Sequence, residues 1–361
     1  MNDAELLAII AQAEREGWTE IDLSGKRLKR IPPEIGNLAN LTKLHLNSNQ
    51  ITAIPDAISN LANLTKLYLS RNQITAIPDA IGNLANLTEL CLSRNQITAI
   101  PDAIENLASL TELYLSRNQI RSILGAIENL ASLSELYLSN NQITAIPDAI
   151  ANLTNLSELY LSRNQITVIP DAIANLANLT KLHLNSNQIT VIPDTIANLA
   201  NLTTFYLSSN QITAIPDAIA NLTNLKELNL SYNQINEITH LVLLLSNLQK
   251  FHLERSKLLE ITKLYARNNS LSISPEILKS DNAQGIFNYV RELTLQHSRP
   301  LHEAKLLLIG QGSVGKTSLI DLLQIKFEQP LDSIHSCTKQ QLNYNVIHND
   351  DDDCDIVQLE F

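Results

Sequence analysis

A block of sequence, LxxLxLxxNQI, returns every 23 residues along most of this chain. Its asparagine recurs nine times, at Asn49, Asn72, Asn95, Asn118, Asn141, Asn164, Asn187, Asn210 and Asn233. The leucine register extends one step further at each end, to Lys26 and Ser256, which gives eleven repeats from about residue 21 to residue 258. A fixed period of this length is typical of a solenoid, in which each turn packs against its two neighbours.

Each part of the repeat has a physical role. Residues such as Leu44 and Leu46 alternate with polar ones, so they predict a short strand of a parallel sheet on the concave side, with neighbouring strands about 4.8 Å apart. The asparagine should turn inward and bond backbone groups of adjacent turns. Pro55 and its equivalents fix φ for a helical turn on the convex side, where Ile58 and Leu61 face the core. The 23-residue repeat therefore has the pattern of a leucine-rich repeat.

A solenoid needs caps, because an end turn would otherwise expose its core. Residues 3–16 predict an N-terminal capping helix, with Asp3 as the N-cap residue and Gly17 as the stop. Its apolar face consists of Leu6, Ile10 and Ala13.

Composition limits the function classes. The net charge of −11 argues against nucleic-acid binding and against binding to an anionic membrane, since phosphate contacts need a basic face. Three cysteines far apart in sequence favour a reducing compartment, and the acidic N-terminus lacks the pattern of a signal peptide. We therefore expect a cytoplasmic protein that does not contact nucleic acid or membrane.

Three columns of side chains should project from the concave face. The first contains five of the nine tyrosines, Tyr68, Tyr114, Tyr137, Tyr160 and Tyr206. The second, two residues earlier, is rich in glutamate, and the third consists of Arg71, Arg94, Arg117 and Arg163. Tyrosine and arginine are favoured at protein interfaces, which indicates a protein-binding groove. Two other interpretations are open: duplication copied an ancestral repeat, or the glutamate and arginine columns neutralise each other.

A second motif follows the repeats. Residues 304–309 read as a strand that leads into the pattern GxxxxGK[ST] and then a helix, the arrangement that a phosphate-binding loop requires. Backbone N–H groups of this loop would contact phosphate oxygens, Lys316 would reach the β- and γ-phosphates, and the Thr317 hydroxyl would bind Mg²⁺. The predicted phosphate-binding residues are Gly310, Gln311, Gly312, Ser313, Val314, Gly315, Lys316, Thr317 and Ser318.

The loop GQGSVGKTSLI resembles that of Ras-like small GTPases, and its position behind leucine-rich repeats resembles the Roco family. Roco proteins place repeats before a Ras-like Roc GTPase domain and a COR domain. The resemblance implies GTP/GDP and Mg²⁺ as cofactors, regulation by the repeats, and a homodimer in the full-length form. The choice of GTP over ATP rests on this resemblance alone.

The match to Roc is incomplete. Thr338 is the candidate for the switch threonine that joins the Mg²⁺ shell, but the T-x-G-I pattern of the family is not met. Residues 341–347 and 355–361 read as two strands joined by an acidic turn, and the DxxG and NKxD elements are expected to lie beyond Phe361. The expected organisation is a capping helix (1–20), a solenoid (21–280), a linker (281–300) and a partial Roc domain (301–361).

Two functions follow from these observations. The leading one is a Roco-type guanine-nucleotide switch with the repeats as its binding or regulatory module. The corresponding fold is of the α/β class and joins the solenoid to a Ras-like domain. The alternative is an interaction scaffold without enzymatic activity, in which the partial nucleotide domain is inactive. Sequence motifs of a protein kinase are absent.

Overall fold

A computed structural model describes residues 1–123, 127–235, 245 and 247–252, together with three C-terminal strands whose backbone alone is described. The chain divides into two compact units, Met1–Arg291 and Glu292–Phe361. The segment 281–300, predicted as a connecting helix or linker, lies outside the described residues, as do residues 124–126. In the described part of the chain, no helix combines the length and the apolar character needed to cross a bilayer.

The first unit contains one parallel sheet of short strands, ordered as they occur in the chain. The eleven strands are β1 Glu20–Asp22, β2 Lys43–His45, β3 Lys66–Tyr68, β4 Glu89–Cys91, β5 Glu112–Tyr114, β6 Glu135–Tyr137, β7 Glu158–Tyr160, β8 Lys181–His183, β9 Thr204–Tyr206, β10 Glu227–Asn229 and β11 Lys250–His252. Equivalent residues pair directly, for example Leu113 with Leu136. The predicted leucine-rich-repeat solenoid is confirmed.

Short 3₁₀ helices follow the strands on the opposite side of each turn. They span Pro33–Asn37, Asp56–Asn60, Asp79–Asn83, Asp102–Asn106, Asp148–Asn152, Asp171–Asn175, Asp194–Asn198 and Asp217–Asn221. Pro55, with φ −74°, precedes one of them, and its carbonyl accepts the Ile58 N–H at 3.0 Å. Ile58 and Leu61 are fully buried, as predicted. The proline therefore starts the turn that carries these side chains into the core.

The repeated asparagine connects two adjacent turns of the stack. The Asn49 side chain donates from Nδ2 to the carbonyls of Leu23 and Leu46, at 2.9 and 3.0 Å. Its Oδ1 accepts the N–H of Leu28 at 3.0 Å. The other eight repeated asparagines are equally buried, with at most 9% exposure. The prediction that this residue satisfies backbone groups of adjacent turns is confirmed.

Helix α1, Asp3–Glu16, covers the first turn with Leu6, Ile10 and Ala13, and Gly17 ends it with φ 67°. The prediction of Asp3 as its N-cap residue is wrong. The N-cap is Asn2, whose side chain accepts the Glu5 N–H while the Glu5 carboxylate accepts the Asn2 N–H. This reciprocal capping box satisfies two N–H groups at once, which a cap at position 3 would not. Asp3 instead forms an ion pair with Arg30.

The second unit contains three described strands, β12 Leu306–Gln311, β13 Asn343–His348 and β14 Cys354–Glu360, in the order β12-β14-β13. The hairpin predicted from residues 341–347 and 355–361 is confirmed by the antiparallel pairing of β13 with β14. β12 is also antiparallel to β14. An α/β domain that binds nucleotides is built mainly on parallel pairs, so these strands do not establish the expected Ras-like sheet.

Candidate protein-binding face of the repeat sheet

The exposed face of the eleven-stranded sheet, predicted above as concave, is called the sheet face below. Strand geometry decides which side chains reach it, because successive residues point to opposite sides. On β5, Leu113 is fully buried, whereas Glu112 and Tyr114 on either side of it are half-buried and project outward. The tyrosine and glutamate columns occur on this face at equivalent positions of successive strands, and each arginine of the third column follows three residues after the last residue of a strand.

The aromatic column consists of His45, Tyr68, Cys91, Tyr114, Tyr137, Tyr160, His183 and Tyr206. The Tyr137 ring stacks on the rings of Tyr114 and Tyr160, with centroids 4.5 and 4.3 Å apart. His183 continues the row against Tyr160 and Tyr206, at 4.5 Å from each. Because every ring contacts its neighbours, five consecutive turns present one continuous aromatic surface.

Hydrogen bonds hold the rings in place. The Tyr114 hydroxyl donates to Glu112 at 2.7 Å, and the Tyr137 hydroxyl donates to Glu135 at 3.0 Å. Burial raises the pKa of Tyr68 to about 12, and the hydrogen bond to Glu89 adds to this. The same two causes, in the same order, raise the pKa of Tyr114 and of Tyr137. The hydroxyls therefore stay protonated and act as donors at neutral pH.

The carboxylate column consists of Glu89, Glu112, Glu135 and Glu158, with a lysine at each end. Lys66 pairs with Glu89 and Lys181 with Glu158, both at 2.8 Å. Burial raises the pKa of Glu89, but hydrogen bonds from Lys66 and Tyr68 outweigh burial, and the net pKa is lowered. Both ends of the column are thus neutralised, while the tyrosine hydroxyls are the partners of Glu112 and Glu135 in the middle.

The arginine column, Arg71, Arg94, Arg117 and Arg163, lies on the other side of the aromatic column. All four side chains are exposed, and none is within ion-pair distance of a carboxylate in the described residues. The interpretation that the glutamate and arginine columns neutralise each other does not apply to this structure. The glutamates bind lysine and tyrosine instead, and the arginine charges remain available.

Cys91 and His183 are features of the aromatic column to which the sequence analysis assigned no role. Cys91 takes the place of a ring between Tyr68 and Tyr114, so the stacked row stops there. Burial lowers the pKa of His183 to about 4, and the charge of Lys181 adds to this, so its ring is neutral at pH 7. That Cys91 and His183 stand where other repeats have tyrosine is evident from the sequence, but the effect depends on ring contacts that the sequence does not show.

An open pocket of about 600 Å³ lies along the first turns of the solenoid. Threonine and asparagine ladders line it, including Thr65, Thr88, Asn63 and Asn86. The Thr65 and Thr88 hydroxyls donate to the carbonyl of the equivalent residue one turn earlier, at 2.9 and 3.0 Å. The Asn63 and Asn86 amides donate likewise to backbone. These polar groups serve the solenoid itself, which leaves the sheet face as the better candidate site.

The predicted phosphate loop falls largely outside the described residues. Gly310 and Gln311 are the last two residues of β12, which agrees with a strand leading into the motif. Residues 312–318, with Lys316 and Thr317, lie outside the described residues, as does Thr338. The described side chains contain no group of three or more potential metal ligands.

Comparison with known families supports the repeat architecture. Residues 115–253 match the family described as "Leucine-rich repeat region", and residues 18–74 and 63–120 match the family described as "Leucine rich repeat". No curated protein matches the chain. The family matches therefore cover the solenoid and do not reach the motif at residues 310–317.

Solved structures agree with this assignment. An internalin of Listeria monocytogenes is 31% identical over 69% of this chain and 80% of its own, with a TM-score of 0.56. The ectodomain of the Arabidopsis thaliana receptor kinase GASSHO1/SCHENGEN3, in complex with CASPARIAN STRIP INTEGRITY FACTOR 2, is 30% identical over 63% of this chain and 31% of its own, with a TM-score of 0.57. The Arabidopsis receptor kinase HAESA, in complex with the peptide hormone IDA and the co-receptor SERK1, is 28% identical over 67% and 43%, with a TM-score of 0.59. This chain belongs to the leucine-rich-repeat family.

Proposed function

We propose that the chain is a protein-interaction module that binds a polypeptide partner on the sheet face. This is the scaffold function that the sequence analysis ranked second. Two of the similar structures are complexes with a peptide hormone or with a factor bound to the ectodomain, which supports binding of a polypeptide to a solenoid of this kind.

The stacked aromatic row is the observation that carries the proposal. Tyr114, Tyr137 and Tyr160 are half-buried, stacked on each other and hydrogen-bonded to glutamates before any partner arrives. Rigid aromatic side chains provide a large contact area at little cost in conformational entropy. Tyrosines in such a setting are the residues that dominate binding energy at interfaces.

The test is a selection of peptide ligands followed by substitution on the sheet face. Ligands selected from a random peptide display library on the full chain should lose affinity at least about tenfold for Tyr137→Ala, because a central tyrosine contributes about 2 kcal/mol or more. Asp148→Ala, on an exposed 3₁₀ turn, is the control and should bind like the parent protein. Calorimetric titration gives the affinities, and circular dichroism checks that both variants are folded.

Ligands that bind Tyr137→Ala as tightly as the parent chain would place the partner site elsewhere. A loss of affinity for Asp148→Ala alone would identify the opposite side of the solenoid as the site. Either result contradicts the proposal.

We also propose, as a second function, that residues 310–318 bind the phosphates of a guanine nucleotide with Mg²⁺, in a Roco-type switch that the repeats regulate. The observation in its favour is that β12 ends at Gly310 and Gln311, the first residues of the motif. Lys316 would hold the β- and γ-phosphates, Thr317 would bind the ion, and Thr338 would join its shell. A homodimer of the full-length form belongs to the same proposal.

Nucleotide titration tests the second function. Fluorescent GDP should bind a full-length homologue that contains the NKxD element, in the presence of Mg²⁺, and the change equivalent to Lys316→Ala should weaken this binding by at least about tenfold through loss of charge-assisted contacts to phosphate. The change equivalent to Lys326→Ala, outside the motif, serves as the control. Preference for a fluorescent ATP analogue, or unchanged affinity of the variant equivalent to Lys316→Ala, would exclude a guanine-nucleotide site of this type.

A further inference from the structure

The arginine column occupies a backbone position that does not favour arginine. Arg71, Arg94, Arg117 and Arg163 have φ of 57 to 59°, in the left-handed region. Residues that reach this region most readily are glycine and asparagine, because a Cβ atom crowds the backbone there. Other turns place Gly25, Ser48, Asn140, Ser186, Ser209 and Tyr232 at the same position with positive φ. The fold accepts several other residue types here, so the backbone conformation does not explain the arginines.

Hydrogen bonds hold the backbone of the column in a regular array. The N–H groups of Arg71, Arg94 and Arg117 donate to the carbonyls of Ser93, Ser116 and Ser139 in the following turn, each at 2.8 Å. Adjacent strands of the sheet are about 4.8 Å apart. Three positive side chains in successive turns therefore start about 5 Å apart, a spacing at which like charges repel.

The repulsion has a visible effect. The positive charge of Arg117, and then that of Arg71, lowers the pKa of Arg94. The chain carries 37 acidic residues and 26 basic ones, yet the described ion pairs leave these arginines without a carboxylate. This row of exposed arginines, which has no carboxylate partner among the described residues, is available to pair with an external anion.

We propose that Arg71, Arg94 and Arg117 dock an extended acidic segment of a partner protein, whose carboxylates pair with the guanidinium groups. This inference rests on the proposed binding function of the sheet face and specifies the chemistry of the partner. Arginine binds carboxylates through two parallel N–H···O bonds, so each turn offers one such site. The neighbouring aromatic column would contact the apolar residues of the same segment.

Charge complementarity favours a peptide over a nucleic acid. Across the aromatic column, Glu112 and Glu135 have tyrosine hydroxyls rather than cations as partners, so the sheet face is acidic on one side and basic on the other. A polyphosphate backbone would meet repulsion from the carboxylate column and from the net charge of −11. A short segment that combines carboxylates with apolar residues fits both columns.

Fluorescence polarisation with synthetic peptides tests this inference on the full chain. The probes are labelled decapeptides of alternating glutamate and threonine, of glutamine and threonine, and of lysine and threonine, with a labelled oligothymidylate as the nucleic-acid probe. The glutamate peptide should bind best, and its affinity should fall as salt is added. The combined variant R71S/R94S/R117S should bind it about tenfold less tightly, since three exposed ion pairs are lost.

Two further variants distinguish an effect of the arginine column from a general effect of positive charge. Serine occurs naturally at the equivalent positions 48, 186 and 209 with the same backbone conformation, so the variant should fold. The control variant K29S/R121S/K226S also removes three positive charges, but from exposed positions outside the column, and should leave binding of the glutamate peptide unchanged. R71K/R94K/R117K keeps the charge and should bind with intermediate affinity, because lysine lacks the planar fork.

Three results would overturn the inference: equal binding of the glutamate and glutamine peptides, tighter binding of oligothymidylate, or an equal loss in the control triple variant. The proposed function has its own readout in Tyr137→Ala. If display-selected ligands still depend on Tyr137 while the glutamate peptide does not bind, the sheet face is a binding site and the acidic partner is wrong. If the glutamate peptide binds through the arginines and no display-selected ligand depends on Tyr137, the proposed role of the aromatic row is wrong and the arginine site stands.

Discussion

Replacing Asn118 by alanine is expected to lower the free energy of unfolding by about 3–5 kcal/mol. The Asn118 amide donates to the carbonyls of Leu92 and Leu115 and accepts the N–H of Ile97, each at 3.0 Å, with the side chain 8% exposed. Alanine leaves these backbone groups without that partner in an interior that water does not reach. Each such group costs about 1–3 kcal/mol, and a small cavity adds to the loss.

Urea denaturation followed by circular dichroism measures the effect. Asn118→Asp is the sharper variant, since it keeps the size and the acceptor oxygen but replaces two donated bonds by repulsion between a carboxylate and two carbonyls. Asn106→Ala, at an exposed asparagine of a 3₁₀ turn, should change stability by less than about 0.5 kcal/mol. A stability of Asn118→Ala within that range would show that the asparagine ladder does not hold the turns together.

The second large effect is expected at the N-terminal cap. Ile10→Asp places a carboxylate at a position that is 1% exposed between α1 and the first turn. A buried carboxylate without a partner costs several kcal/mol, so α1 should detach rather than hold it. Loss of the cap exposes the end of the core, and we expect a destabilisation of about 4 kcal/mol or more at this end.

Hydrogen exchange with mass spectrometry locates that effect. Amides of α1 and of the first turns should lose protection in Ile10→Asp, whereas amides near β7 should not, because each turn contacts its neighbours alone. Leu7→Asp is the matched control, since Leu7 lies on the same helix with 37% exposure. Equal loss of protection in both variants, or loss along the whole solenoid, would contradict the expected role of the cap.

The repeat made most of the fold predictable from sequence. Each buried position occurs in many copies, so Ile58 or Leu61 could be assigned to the core from the period rather than from one ambiguous residue. The asparagine ladder followed from the rule that a buried amide needs partners. The N-cap was missed although the signal was present, since Asn2 and Glu5 have the spacing of a capping box.

The candidate site was predictable in its residues and not in its interactions. The columns follow from the alternation of a strand, but the pairing of Glu89 with Lys66 rather than with an arginine depends on side-chain rotamers. The left-handed backbone at Arg94 was missed, because arginine has no preference for that conformation and the signal lay in Gly25 and Asn140 at the equivalent position of other repeats. In the second unit, the orientation of β12 against β14 is a long-range choice that local patterns do not determine.

The regular spacing of the turns sets a condition on the sequence of any straight partner. Residues on one face of an extended segment recur about every 6.8 Å, whereas the turns recur about every 4.8 Å. The two periods coincide at about 14 Å, which is two steps of the partner and three turns of the solenoid. Arg94 and Arg163 are three repeats apart, with Arg117 and Asn140 at the equivalent positions between them. A partner with acidic residues at positions i and i+4 would therefore be in phase with this pair, and one with the same charges at i and i+3 would not.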